Sequence, residues 1–301
     1  MRAQHKILSC LFACVLLAGL AAGQAGRRPD AASTTRERFV SLNIYASRAD
    51  GSDTLVTAKD VALYDAGMEQ TIQSFTLDPS PAHIVLLVDN SLGLRADVEK
   101  LQQATREFAY EIYEGDQVMV IGYDQNAEII SDWTDDAKKI EQALPTFRKR
   151  GEPHLFDALA AVLNDALVPF SARTRKRAVV LVADGLDRGS KSHFDDILRT
   201  FQAQDIIVYA LQIPDRTGGA LRRDRLKPAQ VIQKLVEGTG GRVLPVNEPR
   251  EAAKSVCDEL RRHRYVLSYT PASVPFFGTR RLLVLPNEGV NIRHKLAHPG
   301  Q

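Results

Sequence analysis

The sequence predicts an α/β fold: a doubly wound, mostly parallel sheet, joined to a small β-sandwich-like domain formed by N- and C-terminal strands. Three observations predict it. Residues 84–88 and 178–183 are continuously apolar, as strands buried on both faces of a parallel sheet are. From about residue 83 to residue 263 such runs alternate with segments of helical spacing, the pattern of a parallel sheet with helices on both faces. Outside that span, short stretches alternate with period two and are separated by Gly and Pro.

The N-terminus sets the expected compartment. Arg2, His5 and Lys6 precede an apolar run over 7–22, which ends in the small residues Ala21 and Ala22 ahead of Gly23. This layout predicts a secretory signal peptide over 1–23 and a periplasmic or extracellular protein. The run is short for a membrane span of about 20 apolar residues, although an uncleaved anchor stays open. Cys10 and Cys14 fall inside it, so cleavage leaves Cys257 as the single cysteine and excludes an internal disulfide. Cys257 shares a helix face with Val256 and Leu260 and reads as a buried thiol.

Residues 24–36 lack periodicity and read as a flexible linker. An N-terminal β region over 37–78 holds strands at 39–45, 60–67 and 70–75, too few to stand alone. Asp78, Pro79, Ser80 and Pro81 mark a boundary, and the α/β domain is expected over 80–263. Its helices are predicted at 97–113, 135–144, 155–167, 194–203, 228–237 and 251–263. Its strands are predicted at 83–89, 117–123, 127–131, 178–184, 206–212 and 242–245. The Pro at 228 and Gly at 238 bracket one helix as helix ends prefer. Strands at 265–270, 281–285 and 292–296 follow, and the C-terminal segment 264–301 is expected to pair with 37–78. The chain has 301 residues, enough for this arrangement, and its net charge of +2 argues against a dedicated nucleic-acid binder. The basic tract at Arg173, Arg175, Lys176 and Arg177 reads as a solvated loop and strand entry.

Two buried strands end in Asp, at Asp89 and Asp184. In a doubly wound sheet the carboxyl ends of neighbouring strands face a shared ligand site. Asp89, Ser91, Asp184 and Asp187 offer only oxygens, which suits a hard cation such as Mg²⁺. The segments Val-Asp-Asn-Ser-Leu-Gly (88–93), Leu-Phe-Asp-Ala-Leu (155–159) and Leu-Val-Ala-Asp-Gly-Leu-Asp (181–187) resemble the three landmark segments of a von Willebrand factor type A domain, a Rossmann-like fold. The flanking segments, including the strand from Tyr265, resemble the exported group of such proteins described chiefly from Acidobacteria. The resemblance implies a non-enzymatic protein-protein interaction or adhesion module. It also implies a metal-ion-dependent adhesion site built from Asp-x-Ser-x-Ser, a Thr on a second loop and an Asp on a third. Asp89, Ser91 and Asp184 match as metal ligands. Gly93 stands at the second Ser position and Pro153 at the Thr position, and neither has a side-chain oxygen. Glu152 or His154 could substitute. The site is therefore expected to be degenerate, with Mg²⁺ held weakly or not at all. In the family a partner's acidic side chain completes the coordination.

Alternatives stand beside these readings. Asp89 can cap the following loop through backbone N–H groups instead of binding metal, and Asp184-Gly185 can be turn chemistry. Asp157 reads as a first-turn residue favoured by the helix dipole. Trp133 reads as a packing residue. His154 and His193 lack zinc-ligand spacing. The loop 214–227 carries Arg216, Arg222, Arg223 and Arg225, which either meet an acidic partner or are solvated. No Gly-x-Ser-x-Gly, Walker-type or His-Glu-x-x-His motif is present. A metal-independent scaffold is one alternative function, and an Mg-dependent phosphoryl-transfer or hydrolytic enzyme using Asp89 is another.

Overall fold

Two apolar strands lie side by side at the centre of the molecule. In a computed structural model, which describes residues 39–170, 176–218, 226–272 and 278–299, His83–Asp89 (β5) pairs in parallel with Arg177–Ala183 (β8). The predicted signal peptide and linker, Cys10, Cys14, residues 173–175 of the basic tract and residues 219–225 lie outside the described residues. β5 also pairs in parallel with Gln117–Tyr123 (β6), and β8 with Ile207–Gln212 (β9). Val243–Pro245 (β10) extends the sheet in parallel from β9, whereas Ala127–Thr134 (β7) adds to β6 antiparallel. The order is β10-β9-β8-β5-β6-β7.

Strand alternation divides the apolar runs between two cores. Ile84, Leu86 and Val88 pack with Leu101 and Phe108 of helix α1 (Val98–Glu111) and Val256 and Leu260 of α6 (Pro249–Arg262). Ile140 of α2 (Ala137–Ala143) joins that side. Val85, Leu87, Val179 and Leu181 face the other side. There they meet Leu155 and Leu159 of α3 (Leu155–Ala161), Phe201 of α4 (Phe194–Ala203), and Ile232 and Leu235 of α5 (Pro228–Thr239). Both faces of the sheet are covered, which is why its central strands carry no polar alternation.

Val40–Arg48 (β1), at the start of the described chain, lies between two C-terminal strands. It pairs antiparallel with Arg264–Tyr269 (β11) and Val290–His294 (β13). Ile72–Leu77 (β4) pairs with β11, completing the sheet β13-β1-β11-β4. A second antiparallel sheet has the order β14-β12-β2-β3, from Ala297–His298, Arg280–Pro286, Val61–Asp65 and Met68–Gln70. Leu42 and Ile44 of β1, Leu63 of β2, Leu267 of β11 and Leu282 of β12 share one buried core. This is the β-sandwich-like part of the fold, built from both ends of the described chain.

Several boundaries differ from the sequence reading. Ala66 and Gly67 both have positive φ, 51° and 83°. They form a two-residue hairpin turn that starts β3 immediately after β2, where the sequence placed one strand over 70–75. β7 runs on to Thr134, three residues past its predicted end, and so includes Trp133, whose ring lies 5.2 Å from that of His83 and 5.4 Å from that of Phe170. Trp133 packs against these rings, in line with its sequence reading as a packing residue. The helix predicted over 155–167 is regular only through Ala161 and continues as a widened helical segment over Val162–Leu167. Cys257 is fully buried, and burial pushes its thiol well above the ordinary range.

Candidate functional site

Adjacent parallel strands bring Asp89 and Asp184 together. Val88 and Val182 are register partners, so each chain emerges from the sheet beside the other and both carboxylates are fully buried. After Asp184 the backbone turns at Gly185 with φ +86°, and a Cβ there would lie 2.3 Å from the Pro228 carbonyl oxygen. Only glycine permits that turn against the start of α5.

Each oxygen of the two carboxylates has a defined role. Asp89 Oδ1 accepts hydrogen bonds from the Ser91 backbone N–H at 2.9 Å and the Ser91 hydroxyl at 2.5 Å. Asp184 Oδ1 accepts from the Leu186 N–H at 3.0 Å. Both acids therefore form Asx turns with the backbone that follows them. The remaining valence goes to Arg216. Its Nη2 donates to Asp89 Oδ2 at 2.5 Å and to Asp184 Oδ1 at 3.1 Å, and its Nε donates to Asp184 Oδ2 at 2.6 Å. Its Nη1 donates to the Ser91 hydroxyl at 2.7 Å and the Leu92 carbonyl at 3.1 Å. The Arg216 side chain is 9% exposed and the two carboxylates 0%.

Burial pushes the Asp89 carboxyl above its ordinary value, and the Arg216 charge opposes that shift without cancelling it. Burial likewise works against the Arg216 charge, but its bonds to Asp184 and the charge of Asp89 outweigh it and raise the guanidinium's pKa further. Tyr123, at the end of β6, is fully buried. Burial and the nearby carboxylates hold its phenol well above the usual range.

The other sequence-predicted residues frame this centre without entering it. Gly93 has φ +79°, a backbone conformation that strains any L side chain, so a serine there would be disfavoured by its backbone although the space around it is open. Pro153 is buried and its carbonyl accepts from the Arg188 N–H at 2.7 Å. Glu152 pairs with Arg188, and the His154 ring lies against Gly189, so neither replaces the missing ligands at Asp89. Asp187 Oδ1 accepts from the Phe156 N–H and the Ser190 hydroxyl. Asp157 sits in the first turn of α3 but serves the third loop, accepting from the N–H groups of Lys191 and Ser192. Burial resists its charge, yet those bonds leave its carboxyl below the ordinary value. The first and second loops are tied by Leu92 N–H to the Gly151 carbonyl and Arg150 N–H to the Asn90 carbonyl, both at 3.0 Å. Lys149 Nζ adds bonds to the Leu94 and Ala96 carbonyls.

Arg216 is the residue that sequence reasoning missed. Within the loop 214–227 it was expected to meet an acidic partner or solvent, and it does neither; its partners are the two acids of its own chain. A signal existed. Two carboxylates buried at adjacent strand ends, with two hydroxyl ligands absent, require a compensating cation. Arg216 lies four residues beyond the end of β9, the strand beside β8.

Residues that hold a guanidinium this way do not fit a resident divalent ion. Mg²⁺ needs near-octahedral oxygens at about 2.0–2.1 Å, and the two carboxylates are already spanned by a planar cation. Among the described residues, no group of three or more His, Cys, Asp or Glu side chains could hold a metal ion.

Comparison with known proteins places this geometry. The chain is 26% identical over 191 residues to a protein of Sinorhizobium medicae named tRNA N6-adenosine threonylcarbamoyltransferase, an alignment covering 61% of this chain. The chain spans half the length of that relative, 50%. Among solved structures, a von Willebrand factor type A protein from Catenulispora acidiphila matches with a TM-score of 0.49 and 9% identity, over 87% of this chain and 73% of that one. An aerotolerance-related membrane protein from Bacteroides fragilis matches with a TM-score of 0.44 and 20% identity, over 60% of this chain and 98% of that one. Residues 84–186, which run from β5 through the Asp184 turn, match the family of von Willebrand factor type A domains. Residues 84–186 therefore match a von Willebrand factor type A domain, and two of its landmark loops, those that carry Asp89 and Asp184, meet at Arg216.

Proposed function

We propose that the protein is an exported, non-enzymatic protein-interaction module that meets its partner with the loops at the carboxyl end of the parallel sheet. One observation carries the reading: Arg216 spans Asp89 and Asp184 from within the chain, while the loop beside them presents Leu92 with 61% of its surface exposed. Other apolar side chains, such as Ile129 and Leu55, are exposed to a similar degree; Leu92 is set apart by its place on a loop at the carboxyl end of the parallel sheet, where binding loops of such sheets gather. The surrounding rim is polar, with Arg188–Glu152 and Arg150–Glu128 ion pairs at its edge.

The same geometry speaks against the enzyme reading. A phosphoryl-accepting Asp needs a free oxygen facing the substrate. Asp89 has Oδ1 bonded twice to Ser91 and Oδ2 bonded to Arg216. Export is supported by the basic start and apolar run of the first residues. Among the described residues no helix is long and apolar enough to cross a membrane.

Site-specific photo-crosslinking in the exporting cell tests this function. A crosslinker at Leu92 is expected to give discrete adducts, while one at Gln103, exposed on α1, gives none. Adducts from Gln103 alone would move the interface elsewhere. Adducts from neither position would favour a metal-independent scaffold.

A further inference from the structure

The Arg216 guanidinium has five N–H donors, and every one of them has an acceptor in this chain. Nε takes Asp184 Oδ2. Nη1 takes the Ser91 hydroxyl and the Leu92 carbonyl. Nη2 takes Asp89 Oδ2 and Asp184 Oδ1. We propose that Asp89, Ser91, Asp184 and the Leu92 carbonyl form a guanidinium-binding site whose resident ligand is the chain's own Arg216, standing where the family carries a divalent ion.

The chemistry of the acceptors supports guanidinium over other cations. They lie along the edges of a planar fork, with Asp184 engaged side-on by Nε and Nη2 together. Such a two-point arrangement matches guanidinium and not the point charge of an ammonium. Guanidinium is also weakly hydrated, which lowers the cost of placing it beside buried carboxylates. The loops have been shaped to suit. Gly93 sits at positive φ where a serine is strained, and Pro153 fills the second-loop position with no side-chain oxygen. Restoring a metal site would thus take more than one substitution.

A functional consequence follows. In the family a partner's carboxylate completes the coordination of the metal. Here the cation has no N–H left to offer, so an acidic partner side chain cannot be recognised at this position while Arg216 is seated. Contact must instead use the rim around Leu92. The site shares the Arg216 contacts with the proposed interaction surface, but its test reads thermal stability and arginine resonances, whereas the interaction test reads crosslinks at Leu92, so either can fail alone.

Chemical rescue tests it. The Arg216→Ala variant of the mature chain is expected to melt several degrees below wild type, and millimolar N-ethylguanidinium is expected to recover at least half of that loss at constant ionic strength. N-ethylammonium and Mg²⁺ at the same concentration are expected to recover much less, and none of the three should move the wild type. Equal recovery by ethylammonium would reduce the site to unselective charge compensation. Recovery by Mg²⁺ without a response to ethylguanidinium would make it a metal cradle. No recovery by any of them would show that the contacts do not constitute a site. Should the alanine variant not fold, ¹⁵N-arginine NMR of the wild type gives an independent answer. Arg216, identified by its loss in Arg216→Lys, is expected to show separate, slowly exchanging Nη resonances. A single averaged Nη resonance would overturn the proposal.

Discussion

Two buried charge clusters lie in this protein, and they are built in opposite ways. At the carboxyl end of the parallel sheet, two carboxylates share one guanidinium, that of Arg216. Between α6 and the antiparallel sheets, one carboxylate serves several bases. Glu259 accepts from Arg264 at 2.5 Å and Tyr209 at 2.6 Å, bonds Arg293, and pairs with Arg242 at 3.3 Å. Arg264 is fully buried, and its Nη2 also reaches the Tyr209 hydroxyl. The members of the Glu259 cluster come mostly from helix and strand, so the cluster works as a rivet joining α6 and β9 to β11 and β13. In the Arg216 cluster only the carboxylates are anchored beside strands; the base arrives on a loop. A strand-borne charge is fixed by the fold, whereas a loop-borne one can be exchanged for another cation, such as a metal ion, without rebuilding the sheet.

The largest effect is expected at the rivet. Glu259→Ala strands the Arg264 guanidinium inside the protein and should cost about 3–5 kcal/mol, measured by urea denaturation. A loss below about 1 kcal/mol would mean that the cluster is solvated and that the two clusters do not differ as described. Arg216→Ala leaves Asp89 and Asp184 facing each other, but at the end of the sheet, where water or a counter-ion can enter. Its expected cost is about 1–3 kcal/mol.

The two clusters should also respond to pH with opposite sign. Burial resists the charge on Glu259, but Arg264 and Arg293 more than offset it and hold its pKa below the ordinary glutamate value of about 4.5. Its contribution is therefore present above about pH 4.5 and lost as pH falls through the lowered folded value. Asp89 is shifted upward by burial even with Arg216 beside it. In Arg216→Ala that upward push loses its largest opposing influence and is countered only by the Ser91 bonds, so folding favours the protonated acid more strongly. The variant's deficit relative to wild type should therefore grow as pH rises through the raised folded value and shrink in acid. Denaturation series from about pH 2 to about pH 8 check both signs, and an Arg216→Ala deficit that deepens in acid would contradict the assignment.

Smaller effects sharpen the picture of the first loop. Gly93→Ser places a side chain at φ +79°, with open space around it. It should cost about 1 kcal/mol through backbone strain alone and should not confer metal binding. Leu92→Ser should change stability by less than about 0.5 kcal/mol, because most of its side-chain surface is in solvent; a larger loss in urea denaturation would mean that Leu92 packs against the protein.

The fold was legible because its signals are local. The apolar run through Leu86 and Leu87, its end at Asp89, and the repeat of the pattern at Leu181 and Asp184 specify central parallel strands within a few residues each. The hairpin at Ala66 and Gly67 was harder, because Ala at positive φ carries no compositional flag. The site was legible in half. Asp89, Ser91 and Asp184 are brought together as their positions at strand ends predict, and Gly93 and Pro153 lie on the loops around them. Arg216 stands 127 residues from Asp89. No periodicity or motif links them, and its neighbours in sequence are polar loop residues. Only the electrostatic requirement of two buried acids pointed to a cation. Nothing in the local sequence said whether that cation came from solution or from the chain. Glu259 escaped notice for a related reason: on the sequence it is one more acid on an amphipathic helix, and its bases lie on strands and loops that only the fold brings near.

The central claim is that this von Willebrand factor type A domain carries its own cation. Calorimetric titration of the wild-type protein with Mn²⁺, beside an Asp89→Ala control, tests it most directly. The account predicts no saturable heat in either protein. A one-to-one binding isotherm in the wild type that disappears in Asp89→Ala would show that a metal ion displaces Arg216, and would contradict it.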